Sequence, residues 1–90
     1  MKRVANKIAV QSFLYTVSGN QLLRIVDYPT KSACFSGGEG VIAFDDHACA
    51  MHTYKYERLN RAELLGTSIE VNKAGHPILI LKVSTRYEEY

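Results

Sequence analysis

The sequence predicts a mainly β domain of the small α+β kind: an Sm-like or SH3-like, partly closed β-barrel of five or six strands with one short helical turn. Three observations point there. A chain of 90 residues has room for one hydrophobic core and not two, so residues 1–90 are expected to form a single domain. Apolar residues make up 47% of it and charged residues 22%, enough both to bury a core and to stay in solution, which argues against disorder. The apolar residues come in short runs rich in β-branched and aromatic side chains, and a chain too small for two full sheets hides its strand edges best by closing them. An OB-fold is the other barrel that this periodicity allows.

Residues 8–17 are expected to be the first strand, stopped by Ser18-Gly19-Asn20, a cluster that supplies positive φ angles cheaply. Leu22-Leu23-Arg24-Ile25-Val26 follows as its hairpin partner and ends at Tyr28-Pro29, because proline cannot donate to a ladder. The alternation of the first run changes phase near Gln11-Ser12, and a bulge there explains it. Ser36-Gly37-Gly38-Glu39-Gly40 turns the chain into a short strand, Val41-Ile42-Ala43-Phe44, which breaks at Asp45-Asp46.

Residues 48–59 read two ways. Asp45 or Asp46 can cap a helix, yet Thr53-Tyr54-Lys55-Tyr56 alternates with strand propensity. The alternation decides for a strand, which puts His52, Tyr54, Tyr56 and Arg58 on one face and Met51, Thr53, Lys55 and Glu57 on the other. Asn60-Arg61-Ala62-Glu63-Leu64-Leu65-Gly66 then has the cap, the acidic third residue and the closing glycine of one helical turn. Ser68-Ile69-Glu70-Val71, a turn at Lys73-Ala74-Gly75 and an apolar strand over residues 77–83 make a C-terminal β-hairpin within 67–87. Glu88, Glu89 and Tyr90 are expected to fray.

Eleven Lys and Arg against nine Asp and Glu leave a net charge of +2, too balanced for indiscriminate binding of nucleic acid. The basic start, Met1-Lys2-Arg3-Val4, is followed by Asn6, Lys7, Gln11 and Ser12 before any apolar run reaches the length of a signal peptide. The longest aliphatic run, Ile78-Leu79-Ile80-Leu81, is far short of the roughly 20 residues that span a bilayer. A cytoplasmic protein with no membrane partner is the expectation. Cys34 and Cys49 allow at most one bridge, where a small secreted domain relies on several, so reduced thiols are expected.

His47, Cys49 and His52, near Asp45 and Asp46, invite a metal reading. On a strand, however, His47 and Cys49 point to one side and His52 to the other, and there is no C-x-x-C or H-E-x-x-H. No metal and no other cofactor is expected. No spacing orders a nucleophile, a base and an orienting group, so an enzyme is not expected either. Gly37-Gly38-Glu39-Gly40 lacks the lysine and Ser/Thr of a phosphate loop. More informative is the mixture of Arg24, His52, Tyr54, Lys55, Tyr56, Arg58 and Arg61, because aromatic faces stack on bases while cations neutralise phosphate.

These residues resemble the WYL domain, a bacterial and phage module with an Sm-like barrel, often attached to helix-turn-helix regulators. Its aromatic-x-Tyr strand, Gly-containing turn and basic strand ending near proline are similar to Phe13-Leu14-Tyr15, Ser18-Gly19-Asn20 and Arg24-Ile25-Val26-Asp27-Tyr28-Pro29. Its Arg-Thr-Phe-Arg-Leu-Asp-Arg-Ile type of strand aligns without a gap to His52-Thr53-Tyr54-Lys55-Tyr56-Glu57-Arg58-Leu59, followed by Asn60-Arg61-Ala62-Glu63-Leu64-Leu65. The likeness covers about residues 8–66. It implies a non-enzymatic regulatory or ligand-binding domain for a nucleotide or a short single-stranded nucleic acid, of the kind that acts in transcription regulation and phage defence. By position, Tyr15, Arg24, His52, Tyr54 and Arg58 would line the ligand face, with Arg58 the principal phosphate contact. With no room for a fused DNA-reading domain, any output would come from a protein partner or a homo-oligomer. The alternative is a small phage or plasmid interaction factor that binds and modulates a host protein, which the near-neutral charge and the apolar last hairpin suggest.

Overall fold

The computed structural model describes residues 8–85. Among them the chain runs through helix α1 (Val10–Leu14), strand β1 (Leu22–Asp27), helix α2 (Lys31–Phe35), strand β2 (Val41–His47), two 3-10 turns (Ala48–Met51 and Tyr54–Tyr56), helix α3 (Glu57–Arg61) and strands β3 (Gly66–Val71) and β4 (Pro77–Val83). The strands form one mixed sheet in the order β2-β1-β4-β3. The two central strands, β1 and β4, are parallel, while β2 and β3 flank them antiparallel.

This is a small α+β fold, and the sheet does not close. The expected barrel is therefore corrected, and the reason lies in two segments. Residues 8–17 and 48–59 are expected to be strands; instead Val10–Leu14 of the first and Ala48–Met51 and residues 54–59 of the second are helical and pack over one face of the sheet. Ala9 stays extended, in an isolated bridge to Glu63. In the first, Val10, Phe13, Leu14 and Val17 recur at helical spacing; Val10 and Leu14 are buried, with Phe13 and Val17 packed beside them. The phase change at Gln11-Ser12 is thus the mark of α1, not of a bulge, and no hairpin forms with β1. In the second, Ala48 and Met51, then Tyr56, Leu59 and Ala62, turn inward about every third residue. That spacing overrides the alternation of Thr53-Tyr54-Lys55-Tyr56.

Local chemistry fixes the connections. The Thr30 side chain accepts a hydrogen bond from the Ala33 N–H at 3.0 Å and caps α2, a helix absent from the sequence reading. Beside it, Lys31 Nζ lies 2.9 Å from Glu63 Oε1. The last hairpin forms as expected. Its turn is closed by Asn72 Oδ1, which accepts from the N–H groups of Ala74 and His76, both at 2.9 Å, with Gly75 at φ 88°. At the far end of the parallel pair, Asp27 Oδ1 accepts the Thr85 N–H at 2.8 Å and Asp27 Oδ2 the Thr85 hydroxyl at 2.6 Å.

The core sits between the sheet and the helical layer. Leu23 and Ile25 of β1, Phe44 of β2 and Leu81 and Val83 of β4 meet Val10, Leu14, Ala48, Met51 and Leu59. Full burial of each large aliphatic side chain contributes about 1.5–3 kcal/mol. Residues between these in β1 project from the opposite face. There Arg24 lies 3.5 Å from Asp45 Oδ2 of β2 and reaches across β4 to within 3.4 Å of Glu70 Oε1 of β3. One guanidinium thus ties the two outer strands. No helix among the described residues is long and apolar enough to cross a membrane.

Candidate ligand site at helix α3

The five residues expected to share one wall are dispersed. Arg24 stands on the sheet face away from the helices, held by the carboxylates of Asp45 and Glu70. Tyr15 ends α1 and is exposed. His52 ends the first 3-10 turn, Tyr54 opens the second, and Arg58 lies in α3. No pleated ribbon brings His52, Tyr54, Tyr56 and Arg58 into register. Tyr56 instead turns into the core, edge-on to Phe44 with ring centroids 4.9 Å apart. Tyr54 is 93% exposed.

What the fold does bring together is Arg58, Arg61, Ala62, Ser84 and Thr85, around an open cleft of about 300 Å³. Arg58 and Arg61 are three residues apart on α3, so they share a side of that helix. Leu59 between them is buried and anchors the turn. The Asn60 side-chain amide donates to the Met51 carbonyl at 2.8 Å and fastens α3 to the turns before it. Arg58 Nη2 donates to the Thr85 carbonyl at 3.0 Å, which holds one edge of the guanidinium and leaves the residue exposed. Arg61 Nη2 meets Glu57 Oε2 at 3.0 Å, an exposed pair one helical turn apart, weak in water. Both cations lie in the last turn of α3, where the helix dipole favours them.

The cleft therefore offers two guanidiniums in one recess, a chemistry suited to a phosphate or carboxylate. Lys55 adds a third cation nearby in sequence, its Nζ 5.4 Å from the Tyr56 ring centroid. Sequence reasoning singled out Arg58 but not Arg61, Ser84 or Thr85 as lining residues. The Arg-x-x-Arg spacing on a helix is the signal that would have found the first; the other two come to the cleft only through the contacts of residues 84 and 85 with Tyr28 and Asp27.

The remaining polar clusters are less constructive. A second cleft, of about 410 Å³, is lined by Asn20, Gln21, Leu22, His47, His76 and Pro77. Gln21 Nε2 donates to the Leu22 carbonyl at 3.0 Å and to the Pro77 carbonyl at 2.9 Å. Among the described residues no three His, Cys, Asp or Glu side chains gather as metal ligands. Cys34 and Cys49 are free thiols. Burial pushes the Cys34 thiol up, against the pull of the Lys82 ammonium, which disfavours the reactive thiolate.

The backbone N–H of His47, donating to Asp46 Oδ1 at 2.6 Å, holds the Asp46 carboxyl below its ordinary value, with further help from the His47 ring. A carboxyl lowered in the folded state adds stability above its unfolded pKa, about 3.9, and loses it as the pH falls through the lowered folded value. Asp46→Asn is accordingly expected to flatten the acid limb of stability slightly. Urea midpoints taken from about pH 5 down to about pH 2 measure this; parallel limbs for the two proteins would refute it. Compared with known proteins, the chain matches no family model, no curated protein and no solved structure.

Proposed function

We propose that this chain is a non-enzymatic binding module that takes a phosphate-bearing ligand, a nucleotide or a short single strand of nucleic acid, at the α3 cleft. The observation that carries the reading is the pairing of Arg58 and Arg61 in one recess against Ser84 and Thr85. Two planar guanidiniums can each give paired donors to phosphate oxygens, which lysine cannot copy. Tyr54, exposed on the turn that leads into α3, supplies a face for a base to stack on. The ligand class is the one the WYL likeness implies, but the contacts move: Arg24 leaves the site and Arg61 enters it.

Fluorescence anisotropy of a labelled single-stranded oligonucleotide at two salt concentrations tests this. Arg58→Ala and Arg61→Ala are each expected to weaken binding roughly tenfold and to reduce the salt slope by about one. Arg61 is chosen because its side chain is 75% exposed, so its loss leaves the fold intact, whereas Arg58 also braces Thr85. Tyr54→Ala should cost about 1–3 kcal/mol if a base stacks there. No binding at low salt, or binding that neither arginine variant alters, rules the reading out.

Exposed apolar side chains favour the second reading, a protein interaction factor. Val41 and Ile42 on β2 are 60% and 54% exposed, and Phe35 of α2 is 68% exposed. A nuclease-resistant, stoichiometric protein partner released by Ile42→Lys would support it.

A further inference from the structure

Among the described residues no strand pairs with the outer edge of β3. Its ladder to β4 fixes which groups face outward. Gly66 pairs with Lys82, Ser68 with Ile80 and Glu70 with Ile78. Two residues beyond Glu70, the Asn72 N–H donates to the His76 carbonyl at 2.9 Å. In an antiparallel pair the bonded positions alternate, so Gly66, Ser68 and Glu70 turn their backbone groups toward β4. Thr67, Ile69 and Val71 turn theirs outward. The same three residues project their side chains toward the helical side of the sheet, beyond the helices' cover, where Ile69 is 66% and Val71 67% exposed. An unpaired strand with a bare β-branched row is the kind of edge that recruits another strand.

We infer that β3 pairs antiparallel with β3 of a second copy of this chain, about a two-fold axis through Ile69. The sequence of the strand is what selects this occupant, because it is complementary to itself in one register. With Ile69 opposite Ile69, Thr67 faces Val71 of the second copy and Val71 faces Thr67. Each of these pairs exchanges two backbone bonds, about six in all. On the other face Glu70 lies opposite Ser68 in both halves, so no like charges meet, and Arg24 already balances Glu70 within its own chain. A slip of one pair toward the C-terminal end sets Glu70 against Glu70 and loses bonds, which disfavours it. A two-fold axis perpendicular to the sheet keeps both helical layers on one side.

Sedimentation equilibrium of the full chain from micromolar to millimolar concentration tests the pairing. The wild type is expected to shift from one chain mass to two. Ile69→Lys places two ammonium groups opposite each other at the axis and is expected to weaken association at least tenfold. The position is exposed, so an unchanged thermal melt of dilute protein will show that the fold survives. Ser68→Lys sets a cation against Glu70 twice and is expected to tighten the dimer severalfold at low salt, with the gain fading as salt is added. A wild type that stays at one chain mass throughout, or a dimer that Ile69→Lys leaves unchanged, overturns the inference. A dimer that Ser68→Lys does not tighten overturns the Ile69-centred register.

Discussion

Leu81→Ala is expected to lower the folding free energy by roughly 2–5 kcal/mol, the largest effect of any single substitution described for this chain. Leu81 is 0% exposed and lies on β4 beside Ile25 of the parallel neighbour β1. Its side chain faces the helical layer, so truncation both removes transfer energy and leaves a cavity that a sheet pinned on each side relaxes into only in part. Small domains hold about 5–15 kcal/mol in total, so the variant would keep a thin margin at physiological temperature. Urea titration should show the midpoint fall with the slope unchanged. Ile69→Ala, at an exposed position, is the control and should stay within about 0.5 kcal/mol of the wild type in dilute solution. Equal midpoints for the two variants would show that the core is not where the burial places it.

Gly40→Ala is the second, and its sign is the informative part. At a glycine whose φ suits any residue, alanine commonly stabilises by about 0.4–1 kcal/mol through the unfolded chain. Gly40 lies outside the positive-φ region, unlike Gly37 at φ 82° and Gly75 at φ 88°. A Cβ on Gly40, however, would come within 2.5 Å of Val26 Cγ1, 3.1 Å of Tyr28 Cε2 and 3.2 Å of the Asp27 carbonyl oxygen. All three belong to the end of β1 and its exit, so the entry of β2 cannot move aside without disturbing the β1–β2 ladder. We expect destabilisation by about 1–3 kcal/mol, the usual cost of overpacking. Thermal melts read it directly: a higher melting temperature for Gly40→Ala would mean that the two strand ends do not approach so closely.

The same arginines and leucines show how much the residues disclosed on their own. Strands β1, β3 and β4 and the start of β2 were legible because turn-forming clusters bound short apolar runs, and the last hairpin carried its own turn at Lys73-Ala74-Gly75. Strand β2 runs on through Asp45 and Asp46 to His47 because its pairing with β1 holds those residues extended. Arg58 was legible as a phosphate-binding candidate from its type and its basic, aromatic surroundings. Its neighbours were not: Ser84 and Thr85 reach it through hydrogen bonds to Tyr28 and Asp27, contacts between residues far apart in the chain. Arg24 was misplaced for the same reason, since the carboxylates that hold it come from β2 and β3, and only the strand order puts them within reach.

By itself, then, the chain's residue order set a small α+β fold, the turn of the last hairpin and the mostly apolar β1 and β4, because those follow from local sterics and short apolar runs. It put a break at Asp45-Asp46, which lie inside β2, and a helical turn at 60–66, where α3 has already ended at Arg61. The tertiary structure decided that the segments over residues 8–17 and 48–59 fold into short helices and 3-10 turns at Val10–Leu14, Ala48–Met51 and residues 54–59. Both segments also read as strands, but β1 and β4, paired in parallel, left one apolar face to be covered. Val10 and Leu14, and Met51 and Leu59, bury together on that face from a helical backbone, and burial of four large apolar side chains outweighs the weaker strand propensity of Tyr54 and its neighbours.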